Sequence, residues 1–283
     1  MFRKCKKTPV NISNFTCERF STDRHNKYMV EGFNSDANGS LAAYLKRRAW
    51  FEDTNNKRVV YLVKDKTKIV MFFSLQCGSL IKCHEKVLHG INHRVQDNVN
   101  EYYIDDDIID VTTVVPAIEI SHFCINDSYR KRKTEWRVKN SLVEYRIGQF
   151  IFYKFIAPIL IDTSTKIGVE KVYLFCADDG SGKLIKYYNE LNFDIMDDMA
   201  CIRSKYDNNL KCMTCNIKTL TQAAVRFNDM MKADDIVTYL KQNSSISIGQ
   251  AKRMGVQEPE YLFDQLVGKG IAVRDDVHKI RTV

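Results

Sequence analysis

The residues of this chain able to do chemistry concentrate between Pro116 and Phe193. Glu119 and His122 interrupt an apolar run from Ala117 to Ile125, and a carboxylate or imidazole in such surroundings is a natural proton acceptor. They stand three positions apart, so on a strand they are expected to face opposite sides. Only one of them, taken as Glu119, then faces a cleft. Gly148 lies in Tyr145-Arg146-Ile147-Gly148-Gln149-Phe150, between an apolar strand and a helical stretch. Free N–H groups and the positive dipole end of such a helix suit phosphate or pyrophosphate, although one glycine is equally an ordinary turn. Residues 129–139 carry six basic side chains against one acidic, with Tyr129 and Trp136 interleaved. They read either as a grip on phosphate groups or as an exposed loop with no specific ligand. Cys212-x-x-Cys215 has zinc-like spacing, but no second pair accompanies it; it is read as two residues of a strand, and no metal is expected. His89 and His93 are four apart with Gly90 between them and no Glu-His motif around them. They are assigned to a solvated insertion.

The elements that must hold these groups follow from periodicity. Ile118 and Ile120 alternate, and after one slip so do Phe123 and Ile125, which predicts a mostly buried strand. A helix is expected from Ile151 to about Lys166, stopped at Gly168. A second strand runs over Lys171–Ala177, then a turn cluster at 178–182, then a helix from Lys183 to Leu191 that ends at Asn192-Phe193. Two strands joined by a helix should be parallel, with a right-handed crossover.

This order resembles the GNAT family of acetyl-CoA-dependent N-acetyltransferases. The family's loop of the form (Gln/Arg)-x-x-Gly-x-(Gly/Ala) is met at Gly148, with Tyr145 and Phe150 at the positions of the other motif residues. Its aromatic-Tyr-(x)3-Gly-Phe ending is met by Tyr187-Tyr188-Asn189-Glu190-Leu191-Asn192-Phe193, with Asn192 at the glycine. Asn tolerates the left-handed backbone that this place needs. The resemblance implies an α/β (α+β) fold with a mixed central sheet flanked by helices, and acetyl-CoA as cosubstrate. It places the pantetheine arm along the main chain of Phe123, Cys124 and Ile125, and the pyrophosphate on amides around Arg146, Ile147, Gly148, Gln149 and Phe150. Tyr188 would protonate the departing thiolate, since a phenol keeps its proton at pH 7, and Glu119 would serve as base. The N-terminal third is similar to the toxin branch of the family, which acetylates the amino group of aminoacyl-tRNA. The positions are Phe33, Leu41, Tyr44, Leu45, Ala49 and Ser74-Leu75, and they equally fit an amphipathic helix and hairpin found in many acetyltransferases. A small amine or a protein N-terminus stays open as acceptor. Phe150, the expanded basic loop and the tail also fit a non-catalytic acyl-CoA-binding or regulatory protein.

At 283 residues, with 45% hydrophobic content and a formal charge of +8, the chain has ample core for one large domain or two modest ones and suits anionic partners. No apolar run long enough for a membrane span occurs, and no apolar signal core follows the basic N-terminus, so a cytoplasmic protein is expected. Nine scattered cysteines are read as free thiols. Residues 1–217 are assigned to the acetyltransferase-like domain, with an insertion at about 81–114. Residues 218–283 form a small module of three helices and a hairpin, in outline a winged helix. Nine basic against eight acidic residues from 219 onward favour a docking or dimer role, with a protein partner or a second copy of the chain, over nucleic-acid reading.

Overall fold

The computed structural model describes residues 8–9, 14–36, 38–66, 68–83, 111–130, 136–196, 199–201 and 210–283. Residues 84–110 of the expected insertion, its histidines and acidic cluster, and residues 131–135 of the basic run lie outside these.

After a two-residue strand, β1 (Thr8–Pro9), come β2 (Phe15–Arg19) and three short helices, α1 (Asn26–Met29), α2 (Gly39–Arg47) and α3 (Ala49–Thr54). Leu45 and Ala49 turn inward and pack with Phe20, Phe33, Phe72 and Cys124 under one face of the sheet. β3 (Val59–Asp65) and β4 (Lys68–Cys83) make the expected hairpin. β4 runs on past Leu75 through Gln76-Cys77-Gly78-Ser79, and β5 (Val111–Ile125) pairs with it antiparallel from Met71↔Ile125 to Cys83↔Val111. Residues 81–83 and 111–114 are therefore arms of the central hairpin and not insertion. Polar residues on one face, such as Gln76 opposite Glu119, hide the strand from a hydrophobic reading.

The basic stretch is not one continuous loop. It holds α4 (Asp127–Arg130) and β6 (Trp136–Lys139), which pairs with β7 (Glu144–Arg146) and with β1 in a small separate sheet. The chain then enters α5 (Ile147–Ile151), a π-turn at Phe152–Ile156, and α6 (Ala157–Ile167). It stops at Gly168 with φ 67°. β8 (Lys171–Cys176) returns parallel to β5, and α7 (Lys183–Asn189) follows. β9 (Asp194–Ile195) pairs with β11 (Lys211–Asn216), but β10 (Met199–Cys201) pairs with β4 at Leu80–Lys82. β3 pairs with β4 only as far as Leu75, so the edge beyond it is open, and β10 covers part of it.

Among the described residues the main sheet runs β2-β3-β4-β5-β8-β11-β9, with β10 on β4. The tail holds α8 (Ile217–Met231), α9 (Ala233–Asn243), β12 (Ser245–Ser247), α10 (Ile248–Arg253), α11 (Pro259–Gly268), β13 (Ala272–Asp276) and β14 (Lys279–Thr282), with sheet order β12-β14-β13. Its first two helices are broken from each other at Lys232. α8 joins the two cores. Leu220, Ala224 and Phe227 pack in the main core and Met230 in the tail core. The buried Asp229 accepts from the backbone N–H of Gln257 at 2.9 Å and of Glu258 at 2.6 Å, a carboxylate at the N-terminus of α11.

Candidate active site

β5 and β8 are in register only over Ala117–Ile120 and Lys171–Leu174, although both continue, to Ile125 and Cys176. The cause is a bulge. Ser74 pairs with His122 and Leu75 with Ile120, leaving Ser121 without a partner across β4. An extra residue bends its strand and sharpens the local twist, so the parallel pair splays after Ile120. The β8-facing edge of Phe123, Cys124 and Ile125 borders the resulting gap. Among the described residues, four buried side-chain polar atoms lack a hydrogen-bond partner. Three of them, Ser121 Oγ, Asp178 Oδ1 and the Tyr187 hydroxyl, sit on segments flanking this gap. Orphaned polar atoms on the segments around a gap suit a polar ligand between them, and they fit an amide- and phosphate-bearing group there.

The turn into α5 closes one end of the gap. Gly148 is held there by contact: a Cβ on it would stand 2.9 Å from Ile125 Cδ1 and run into the Tyr187 hydroxyl. The Arg146 N–H donates to Gln149 Oε1 at 3.1 Å, and Gln149 Nε2 donates to Glu190 Oε2 at 2.6 Å. Arg146 Nη1 stands 3.8 Å from the same carboxylate. Ile147 is buried. Phe150 turns away from the turn and packs against Phe227 of α8, centroid to centroid 5.8 Å, so its bulk does not block an approach to the amides.

Tyr188 lies behind the gap among Phe123, Tyr187 and Phe193, at ring distances of 6.2, 5.5 and 6.3 Å. Burial, with Cys176 adding to it, pushes its phenol well above the ordinary value, so it holds its proton as a donor must. Its carbonyl accepts from Phe193 N–H at 3.0 Å. Asn192 adopts φ 66°, the left-handed cap expected of it, and its amide donates to the Tyr153 hydroxyl at 2.7 Å.

The bulge also overturns one expectation. Glu119 and His122 were placed on opposite faces by counting straight through the strand; the unpaired Ser121 puts both on the same face, away from Phe123 and Ile125. Glu119 accepts from Gln76 Nε2 at 2.7 Å and from the Tyr173 hydroxyl at 3.0 Å. Arg58 joins Gln76 at 2.7 Å to Glu52 at 2.7 Å, and Glu52 accepts from Tyr44. Burial raises the Glu52 carboxyl, but Arg58, Tyr44 and Arg48 outweigh it and hold it below the usual range. His122 stacks on Tyr44 at 3.8 Å and is hydrogen-bonded to Ser74 Oγ at 2.6 Å. Burial, with Arg58 adding to it, pushes its imidazole down to about 4. It is neutral at pH 7. Of this network the sequence reading singled out Glu119 and His122 as proton acceptors, and named Tyr44 and Ser74 only as positions of the toxin-branch pattern. Ser121 was legible as the skipped residue in the alternation; Gln76, Arg58, Tyr173 and Glu190 gave no signal, because their partners are distant in sequence. Cys212 and Cys215 pack in different clusters on either side of β11.

No family model matches the sequence, and no curated protein matches it. Solved structures resemble the chain at low identity. A Tyr-to-Phe mutant of the toxin AtaT, bound to the C-terminus of the antitoxin AtaR and acetyl-CoA, is 10% identical and covers 74% of this chain and 98% of its own, with a TM-score of 0.48. A Tyr-to-Phe mutant of KacT is 12% identical over 74% and 99%, with a TM-score of 0.48. AtaT complexed with acetyl-methionyl-tRNAfMet is 11% identical over 74% and 98%, with a TM-score of 0.45. At these values the likeness carries no weight for activity, which is left to the geometry of the chain itself.

Proposed function

We propose that the chain is an acetyl-CoA-dependent N-acetyltransferase acting on a primary amine, with aminoacyl-tRNA the first acceptor to try. The splay of β5 from β8 at Ser121 carries this reading. It opens a main-chain edge with a glycine turn at one end and a buried, protonated phenol behind it. Phe123, Cys124 and Ile125 would hold the pantetheine arm through backbone groups, and the amides from Arg146 to Phe150 would hold the pyrophosphate. Acetyl-CoA supplies the activated acetyl group. Tyr188 is assigned the proton for the departing thiolate, and Glu119 is assigned as base on the opposite face of the strand. The test is transfer of labelled acetyl to charged tRNA, to small amines and to peptide N-termini. Tyr188→Phe should lower kcat about 100-fold or more with the fold intact, as loss of a general acid does; an unchanged rate removes Tyr188 from the chemistry.

A second reading, an acyl-CoA-binding protein without catalysis, draws on Glu190 and Tyr187. Both already occupy the polar and steric reach of the Gly148 turn. Tight binding of acetyl-CoA with no transfer to any of the three acceptor classes would favour it.

Residues 1–217 are proposed as the transferase domain and 218–283 as a winged-helix-like module, a reading supported by the order α9-β12-α10-α11-β13-β14. Its helix α11, with the residue before it, carries Glu258, Glu260 and Asp264. That suits docking to a protein or a second copy of the chain better than nucleic acid. No described helix is long and apolar enough to cross a membrane; residence in the cytoplasm is part of the proposal.

A further inference from the structure

The tail's first helix reaches the candidate site from behind. Phe227 of α8 is 2% exposed and touches three aromatic rings at once: Tyr145 at 5.1 Å, Phe150 at 5.8 Å and Tyr153 at 5.4 Å, the last stacked at 24°. Tyr145 and Phe150 bracket the Gly148 turn. Tyr153 lies in the π-turn, and its hydroxyl accepts from the Asn192 amide at 2.7 Å. Asn192 is the left-handed residue that ends the Tyr188 helix. Two paths therefore leave Phe227. One leads through Phe150 to the phosphate turn, the other through Tyr153 and Asn192 to α7. A mid-helix π-turn is often retained where it aims side chains at a functional site. Here Phe150 and Tyr153 meet α8, while Phe152 faces Phe123 and Phe193.

We infer that Phe227 and Tyr153 are positioning residues: the tail holds the phosphate turn and the Tyr188 helix in register with each other. The inference rests on the transferase reading for its catalytic consequence, but the coupling itself concerns the free protein. A displacement of about 1 Å at a distance from the chemistry can cost on the order of 100-fold in rate, so a support of this kind is worth having.

The test is hydrogen exchange on the whole chain, with acetyl-CoA titration beside it. Phe227→Ala should speed exchange about tenfold or more in both 146–151 and 186–193, leaving the strands at 59–75 protected, and Phe227→Leu should recover part of the loss. Tyr153→Phe keeps the ring and removes the acceptor, so it should loosen 186–193 alone. Asn192→Gly, which tolerates the same backbone, should match it, and the double variant should be no worse than either single. Acetyl-CoA affinity should fall about tenfold in Phe227→Ala. In Tyr153→Phe, kcat should fall with KM little changed. Unchanged exchange in the two segments, or a rise shared equally by 59–75, would overturn the inference. Coupled exchange in a wild-type protein that takes up no acetyl-CoA would instead overturn the transferase reading and leave the coupling standing.

Discussion

One face of β5 carries Ile118, Ile120, Phe123 and Ile125 into the main core, against the helices that follow the Gly148 turn. The other carries Glu119 and His122 into a network of Gln76, Arg58, Glu52, Tyr44 and Ser74 beneath α2 and α3. The first face is held by shape, the second by hydrogen bonds in which each buried charge has a partner. The bulge absorbs Ser121, so the two sets keep their own sides while the gap toward β8 opens. The difference teaches that the bulge does two jobs: it parts a backbone edge of β5 from β8, and it gathers Glu119 and His122 on the far side of the strand from Phe123 and Ile125.

Deleting Ser121 is the sharpest way to break this arrangement. Leu75 pairs with Ile120 and Ser74 with His122, so without Ser121 the strand alternates regularly and every side chain keeps its face, while the bulge and its splay are removed. The protein should still melt cooperatively by circular dichroism, and acetyl-CoA binding should be lost. Wild-type affinity in calorimetric titration would refute the assignment of the gap to the bulge.

Gly148→Ala probes the apolar face alone. The new Cβ meets Ile125 Cδ1 at 2.9 Å and the Tyr187 ring system, an overpacking worth about 1–3 kcal/mol. Urea denaturation should show a lower midpoint with an unchanged slope.

The polar face has its own signature in pH. The folded His122 titrates near 4, below its ordinary value near 6.5, so the unfolded chain binds the extra proton first. Its contribution is complete above about pH 6.5 and is lost as the pH falls toward 4. From pH 7 to pH 5 the loss should be about 1–2 kcal/mol, and His122→Gln should remove that part of the slope. Equal slopes in the two proteins would show that the imidazole is not held neutral.

Much of this was legible in the sequence, and the failures have physical causes. The slip between Ile120 and Phe123 gave the bulge, and Asn192 gave the left-handed cap, because local geometry leaves a local pattern. The facing of His122 was misjudged because parity was counted through the very residue that breaks it. The length of β4 was hidden by Gln76 and Ser79, whose partners lie across the sheet. Phe150 counted toward a non-catalytic reading because the residue that receives it, Phe227, belongs to a tail beyond the part of the chain that the resemblance covers. Glu190 on the Gly148 turn is a contact of 41 positions' separation, which no local reading carries.

Calorimetric titration of the full chain with acetyl-CoA, beside Arg146→Glu, tests the central claim most directly. The splayed strands and the Gly148 turn predict binding in the micromolar range, lost when the charge at the turn is reversed. No heat at millimolar acetyl-CoA would contradict the claim that the gap between β5 and β8 is a cofactor site.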